Sequence, residues 1–315
     1  MNRWARAGAT ALTLIAATAI LRLWVTHYSV TGNDLEALLA NMRVWTLPAI
    51  FVLLATHVAI AAIRWARIEE ALGADRPSYR RAFTAGAVAL GLGTFLPGFV
   101  TNVAARALSN RIDGGGAARG AVSGSIDQLS DLAIVFLILP AALLGIALNS
   151  LPAFAVAAAA ICGIGYAALG FATTVLELLG KFSPRARRAS VSIADLPKLR
   201  FIYGLSLLRF ACLTAITLLI HVATGAGTAS AAILAVAPVT VAVSVAMLPG
   251  GLGISEWSFS AVFSALGVDQ QQAVLFVLGN RIILSIAAMA LMTLAALASS
   301  FRGRNARVAR QPLNV

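Results

Sequence analysis

The sequence predicts an all-α polytopic membrane protein, with about seven spanning helices and two re-entrant helical hairpins of opposite orientation. Three observations predict it. Of 315 residues, 60% are hydrophobic and only 11% charged, and mean hydropathy is +0.88, whereas soluble domains carry roughly 25% charged residues. Apolar runs close to the roughly 20 residues needed to cross a bilayer occur at 7–25, 46–68, 122–148, 152–176, 201–223 and 272–300. Leu-Pro-Gly is written twice in apolar sequence, at 96–98 and 248–250, followed within ten residues by Arg106 and Glu256 respectively.

The first run follows Arg3 and Arg6, contains Arg22 and is not followed by a clean small-x-small cleavage site. It reads as an uncleaved helix rather than a signal peptide, and a bacterial inner membrane is the expected location. With that end in the cytoplasm, helix 1 leads outward to LEALLANMRVW, a short interfacial helix with Trp45 at headgroup level. The second run returns inward, ending in IRWARIEE, where Arg64 and Arg67 are expected to snorkel to lipid headgroups. Residues 82–111 hold only a short apolar stretch before Pro97-Gly98, and then Arg106, Arg111 and Arg119. A segment that dips in and returns satisfies both its length and its charge. Runs 122–148 and 152–176 then go out and back to the basic stretch Lys181 to Arg200, and 201–223 goes out again. The last run must end inside, because Arg302 to Arg310 follow it, so parity makes 231–268 a second re-entrant unit, entered from the opposite side. Residues 1–310 thus form one transmembrane domain with 311–315 as a cytoplasmic tail, and both termini are cytoplasmic.

The net charge of +12 is topological on this reading. Its basic residues flank apolar runs, as the positive-inside rule produces, and form no aromatic-interleaved face for nucleic acid. Cys162 and Cys212 stand alone in apolar runs, and His27, His57 and His221 are scattered, so neither disulfide nor metal site is expected. No cofactor motif is present: there is no Walker loop, dinucleotide fingerprint or Ser-His-Asp neighbourhood, and no enzyme is expected.

Charges in hydrocarbon cost about 2.5–3.5 kcal/mol each on insertion scales, which makes those present functional candidates. Arg106 and Arg281 are the candidate clamp for an anionic headgroup, because a guanidinium grips phosphate in bidentate fashion. Asn280 stands beside Arg281, and Asp127 and Glu256 would orient the arginines or carry protons. Asp131 lies one turn from Asp127, on the same helix face. Pro97 and Gly98, and Pro249, Gly250, Gly251 and Gly253, would shape two gates, since proline removes a backbone donor and glycine permits tight turns. Pro97 precedes Asp127 by about 30 residues, and Pro249 precedes Arg281 by about the same interval, a weak internal echo of the kind that inverted repeats leave.

The stretch LPGGLGISEWSFSAVFSALGVDQQQAVLFVLGNRIILSI, together with IRWARIEEALG and FLPGFVTNVAAR, resembles the lysylphosphatidylglycerol synthase transmembrane-region, or flippase-like, family. Its C-terminal pattern is carried by Pro249, Gly250, Gly251, Gly253, Glu256 and Arg281, and its N-terminal one by Pro97, Gly98 and Arg106. Phe99 and Thr101 depart from the glycines usual there, and Gln128 from a common arginine. The resemblance implies translocation of a phospholipid, aminoacyl-lipid or lipid-linked precursor between leaflets. Relatives are fused to, or stand beside, an aminoacyltransferase or glycosyltransferase. The competing expectation is a non-transporting scaffold for a lipid-modifying enzyme or glycosyltransferase.

Overall fold

A computed structural model describes residues 3–74, 78–112, 116–180 and 196–308. The basic stretch 181–195 and the tail 311–315 lie outside the described residues, as do Arg76 and the side chains of Arg3, Arg6 and 300–310. The order is α1 Arg3–His27, α2 Gly32–Asn41, α3 Leu47–Ala71, α4 Tyr79–Leu92, α5 Gly98–Ile112, α6 Ala117–Ala147, α7 Leu151–Gly180, α8 Leu196–Thr224, α9 Ala229–Ala246, α10 Ile254–Ala265 and α11 Gln270–Val308. No strand occurs among the described residues. Among the described residues, six helices are long and apolar enough to cross a membrane: α3, α6, α7, α8, α9 and α11. The chain is a multi-span membrane protein.

Local chemistry sets the helix starts. Asp34 Oδ2 accepts from Thr31 N–H at 2.7 Å before α2. Thr228 Oγ1 accepts from Ala231 N–H at 3.1 Å before α9, and Asp269 Oδ2 from Gln271 N–H at 2.9 Å at the start of α11. Each satisfies an amide that the helix cannot pair internally, which matters most where no water is at hand.

Helical hairpins stand at both Leu-Pro-Gly sites, α4 against α5 and α9 against α10. They are unequal. The 14 residues of α4 and 15 of α5 reach only about 21–22 Å at 1.5 Å per residue, short of a hydrocarbon core of about 30 Å. The 18 residues of α9 reach about 27 Å, and by length and composition that arm can cross. The sequence reading had treated it only as half of a re-entrant unit.

The helices fall into two sets with matching neighbours, α3–α6 and α8–α11. In each, the hairpin's second arm packs on the helix that follows: α5 on α6, and α10 on α11. The first arm packs instead on the long helix of the other set, α4 on α11 and α9 on α6. Between the sets α3 packs against α8, while α7 lies at the edge, with no buried residue over Leu151–Leu169.

The α5–α6 contact is close because Gly120 and Gly124, one turn apart, face α5 in a small-xxx-small spacing. A Cβ on Gly120 would fall 2.5 Å from Arg106 O and 2.9 Å from Ala107 Cα, both backbone atoms. Gly120→Leu is therefore expected to cost about 1–3 kcal/mol by overpacking, read as a lowered Tm of the detergent-purified protein. An unchanged Tm would mean that α5 is not held against α6.

Candidate functional site

The two hairpin tips touch. After α9 the backbone turns left-handed at Met247 (φ 49°) and again at Gly250 (φ 58°), which brings Gly250 N–H to donate to Leu96 O at 3.2 Å. The approach is so close that a Cβ on Gly250 would stand 2.2 Å from Thr94 O. Arg281 of α11 secures this tip. Its NH1 donates to Gly250 O at 2.6 Å, NH2 to Ser255 Oγ at 2.8 Å and Nε to Glu256 Oε1 at 2.7 Å. Glu256 is buried, while a quarter of the Arg281 side chain stays open, at 26%. That open part faces a cavity.

The cavity has two lobes. The first, about 340 Å³, is lined by Arg281, Asn280, Ser255 and Gly250 among apolar walls such as Leu90, Val239 and Phe259. The second, about 370 Å³, holds Arg209, Asp131, Gln128 and Ser206 with Leu132 and Phe210. His57, Gly98, Asn102, Leu213, Thr240, Val243 and Ser244 line both, so the two lobes adjoin across a shared wall. Both volumes fall in the range of small-molecule sites, about 300–1,000 Å³.

Beside the second lobe runs a chain of alternating charges. Arg106 of α5 pairs with Asp127 of α6, Asp127 with Arg64 of α3, Arg64 with Asp131, and Asp131 with Arg209 of α8. Arg64 is fully buried; its Nε meets Asp127 Oδ1 at 2.5 Å, and NH2 and NH1 meet Asp127 O at 2.8 Å and Ser206 Oγ at 2.7 Å. The guanidinium of Arg106 lies 5.3 Å from the centre of the Trp65 ring, within cation–π range. Trp65 Nε1 donates to Ser123 Oγ at 2.8 Å, Ser123 in turn donates to Glu69, and Asn110 Nδ2 reaches Glu69 Oε2 at 3.1 Å. Helices α3, α5, α6 and α8 are thereby joined by polar contacts that could not form independently in lipid.

The sequence candidates thus fall into two places. Arg281, Asn280, Gly250 and Glu256 gather at the first lobe and its rim, with Gly98 lining both lobes. Arg106 and Asp127 lie together in the charge chain, buried and outside the lining of both lobes. Arg106 and Arg281 do not form a joint clamp. A parallel remains: in each set an ion pair joins the hairpin's second arm to the next helix, Arg106 with Asp127 and Glu256 with Arg281, the signs exchanged. Pro249, Gly251 and Gly253 are buried in the second tip, and Pro97 is half-buried.

A further expectation is overturned. Arg64 does not snorkel, because α6 and α8 cover its end of α3 and the ion chain takes its guanidinium; Arg67 does stay exposed, paired with Glu70 at 3.0 Å. Sequence reasoning also missed Arg209 and gave His57 no role. The signal for Arg209 was present, a charge in the middle of the apolar run LSLLRFACL, by the same rule that singled out Arg281.

No curated protein and no solved structure matches the chain. The family model described as lysylphosphatidylglycerol synthase TM region matches residues 9–300, taking in both hairpins, the ion chain and Arg281. With nearly the whole length matched, the chain belongs to the lysylphosphatidylglycerol synthase TM-region family.

Proposed function

We propose that the protein moves a lipid with an anionic headgroup between the leaflets of a bacterial inner membrane, with both termini in the cytoplasm. The observation that carries this reading is the Arg281 side chain, a quarter exposed, which lines an apolar-walled chamber and is hydrogen-bonded to the hairpin tip that closes on the other. Arg281 receives the headgroup phosphate, Asn280 adds a polar contact and Glu256 fixes the orientation of the fork. The hairpins are re-entrant and inverted, the first entered from the cytoplasm and the second from outside. The exchanged partners of α4 and α9 support such a repeat. Arg106 and Asp127 act at a distance, holding the first hairpin to α6. A phosphate that draws Arg281 NH1 from Gly250 O loosens one tip from the other, so occupancy and gate opening are linked.

The experiment is leaflet translocation of fluorescent lipids in proteoliposomes, with anionic, zwitterionic and polyprenyl-phosphate substrates. Wild type is expected to move an anionic class faster than empty liposomes, and Arg281→Ala to fall to that background at an unchanged protein level. Wild-type rates in Arg281→Ala would remove Arg281 from the path. A folded wild type that moves no class would overturn transport and leave a scaffold for a lipid-modifying enzyme or glycosyltransferase.

A further inference from the structure

The ion chain does not balance. It joins three guanidiniums, of Arg106, Arg64 and Arg209, to two carboxylates, of Asp127 and Asp131, leaving one positive charge in excess. Glu69, a further buried acid on α3, keeps its negative charge but is held by the neutral donors Ser123 and Asn110 and not by a guanidinium of the chain. His57 does not alter the sum. A guanidinium only donates, so His57 Nε2, 2.8 Å from Arg209 NH2, accepts, and the ring proton sits on Nδ1, which donates to Arg209 O at 3.2 Å. The histidine is neutral in this arrangement and braces the arginine.

The excess charge meets the chamber at one end of the chain. Arg64, Asp127 and Arg106 are sealed at 0–2% exposure, and only Arg209 and Asp131 line the second lobe. Asp131 is already shared between Arg64 and Arg209, and Arg209 Nε, buried behind the lobe wall, has no hydrogen-bond partner, so the guanidinium is incompletely satisfied by the protein and a small turn of it would offer a phosphate oxygen a donor. Gln128, Asn102 and Ser244 line the same lobe with further hydrogen-bonding groups, and Leu132, Phe210 and Leu213 supply an apolar wall. The exposed side chains of Leu129 and Met247 also line it, which suits an acyl chain that stays in the bilayer.

We propose that the second lobe is a binding station of its own, in which Arg209, braced by His57, takes the phosphate of a second lipid headgroup separately from Arg281. This rests on the transport reading in supposing a lipid ligand, and makes the residues that line both lobes, His57 and Ser244 among them, the boundary between two stations. Opposing a compact phosphate, which would satisfy Arg209 alone, is the apolar wall; the test separates the two.

The full chain in zwitterionic detergent is titrated with short-chain phosphatidylglycerol, and bound copies are counted by native mass spectrometry. Inorganic phosphate is the second arm. Wild type is expected to hold two copies of the lipid, and Arg281→Gln and Arg209→Gln one each, the lost copy weakened at least tenfold. Leu132→Trp fills the second lobe without touching an ion pair and is expected to lose the same copy as Arg209→Gln, which keeps the proposal testable if that variant fails to fold. Two copies retained at wild-type affinity in Leu132→Trp, or in a folded Arg209→Gln, overturn the second station. Inorganic phosphate competing at the lipid's own affinity overturns the assignment to a lipid. If Arg281→Gln keeps both copies while Arg209→Gln loses one, the transport reading loses its Arg281 site and this station stands.

Discussion

Asp127→Asn is expected to destabilise the protein by about 3–5 kcal/mol, the cost of removing one partner from a buried pair and leaving the other charged. Two arginines would be left at once. Asp127 is fully buried, takes Arg64 Nε at 2.5 Å and pairs with Arg106, which is itself 2% exposed. Asparagine preserves the shape and removes the charge. Arg64 keeps Asp131 and the Asp127 main-chain oxygen, but Arg106 is left mainly with the face of Trp65, a contact worth about 2 kcal/mol when desolvated. Fluorescence-detected size exclusion after heating measures the effect, which should appear as a large drop in Tm and in the yield of monodisperse protein. Asp131→Asn is the comparison, with a smaller expected loss because its side chain is 27% exposed and water can compensate. If Asp127→Asn melts with the wild type, the chain of charges does not hold the hairpin to the bundle.

Gly250→Ala is expected to reduce lipid translocation at least tenfold with a smaller effect on Tm than Asp127→Asn. The left-handed backbone at φ 58° costs a residue with a Cβ about 1–2 kcal/mol. The larger effect is geometric. The new methyl would stand 2.2 Å from Thr94 O, so the second tip must withdraw, losing the Gly250 N–H bond to Leu96 and displacing the carbonyl that holds Arg281. Gly163→Ala on the edge helix α7 is the control, since a Cβ there meets nothing within 4 Å and its rate should stay near wild type. Equal rates in the two variants would show that contact between the tips has no part in transport.

Much of this architecture was legible because length and charge act locally. The 14 residues of α4 cannot span whatever surrounds them, and Pro97 and Pro249 mark the hairpin turns by removing a backbone donor. Arg281 and Glu256 were each legible as charges in apolar sequence, and that they pair follows from α10 and α11 being neighbours in sequence as well as in space. Arg64 was not. Its fate depends on α6 and α8, more than 60 and 140 residues away along the chain, and position along α3 alone favoured escape to the headgroups. His57 escaped for the same reason: an isolated histidine acquires its role from Arg209, 152 residues on. The joint clamp of Arg106 and Arg281 failed because similar placement after two similar tips does not imply a shared cavity. The placement makes them counterparts, one in each set.

The exchange of partners between the two sets makes each depend on the other. The face of α4 that receives Met292, where Gly91 lets the two helices approach, is covered by α11 of the other set. In the same way α9 is covered by α6. Each set thus supplies the surface on which the other's first arm rests, and separating the sets would uncover both arms at once.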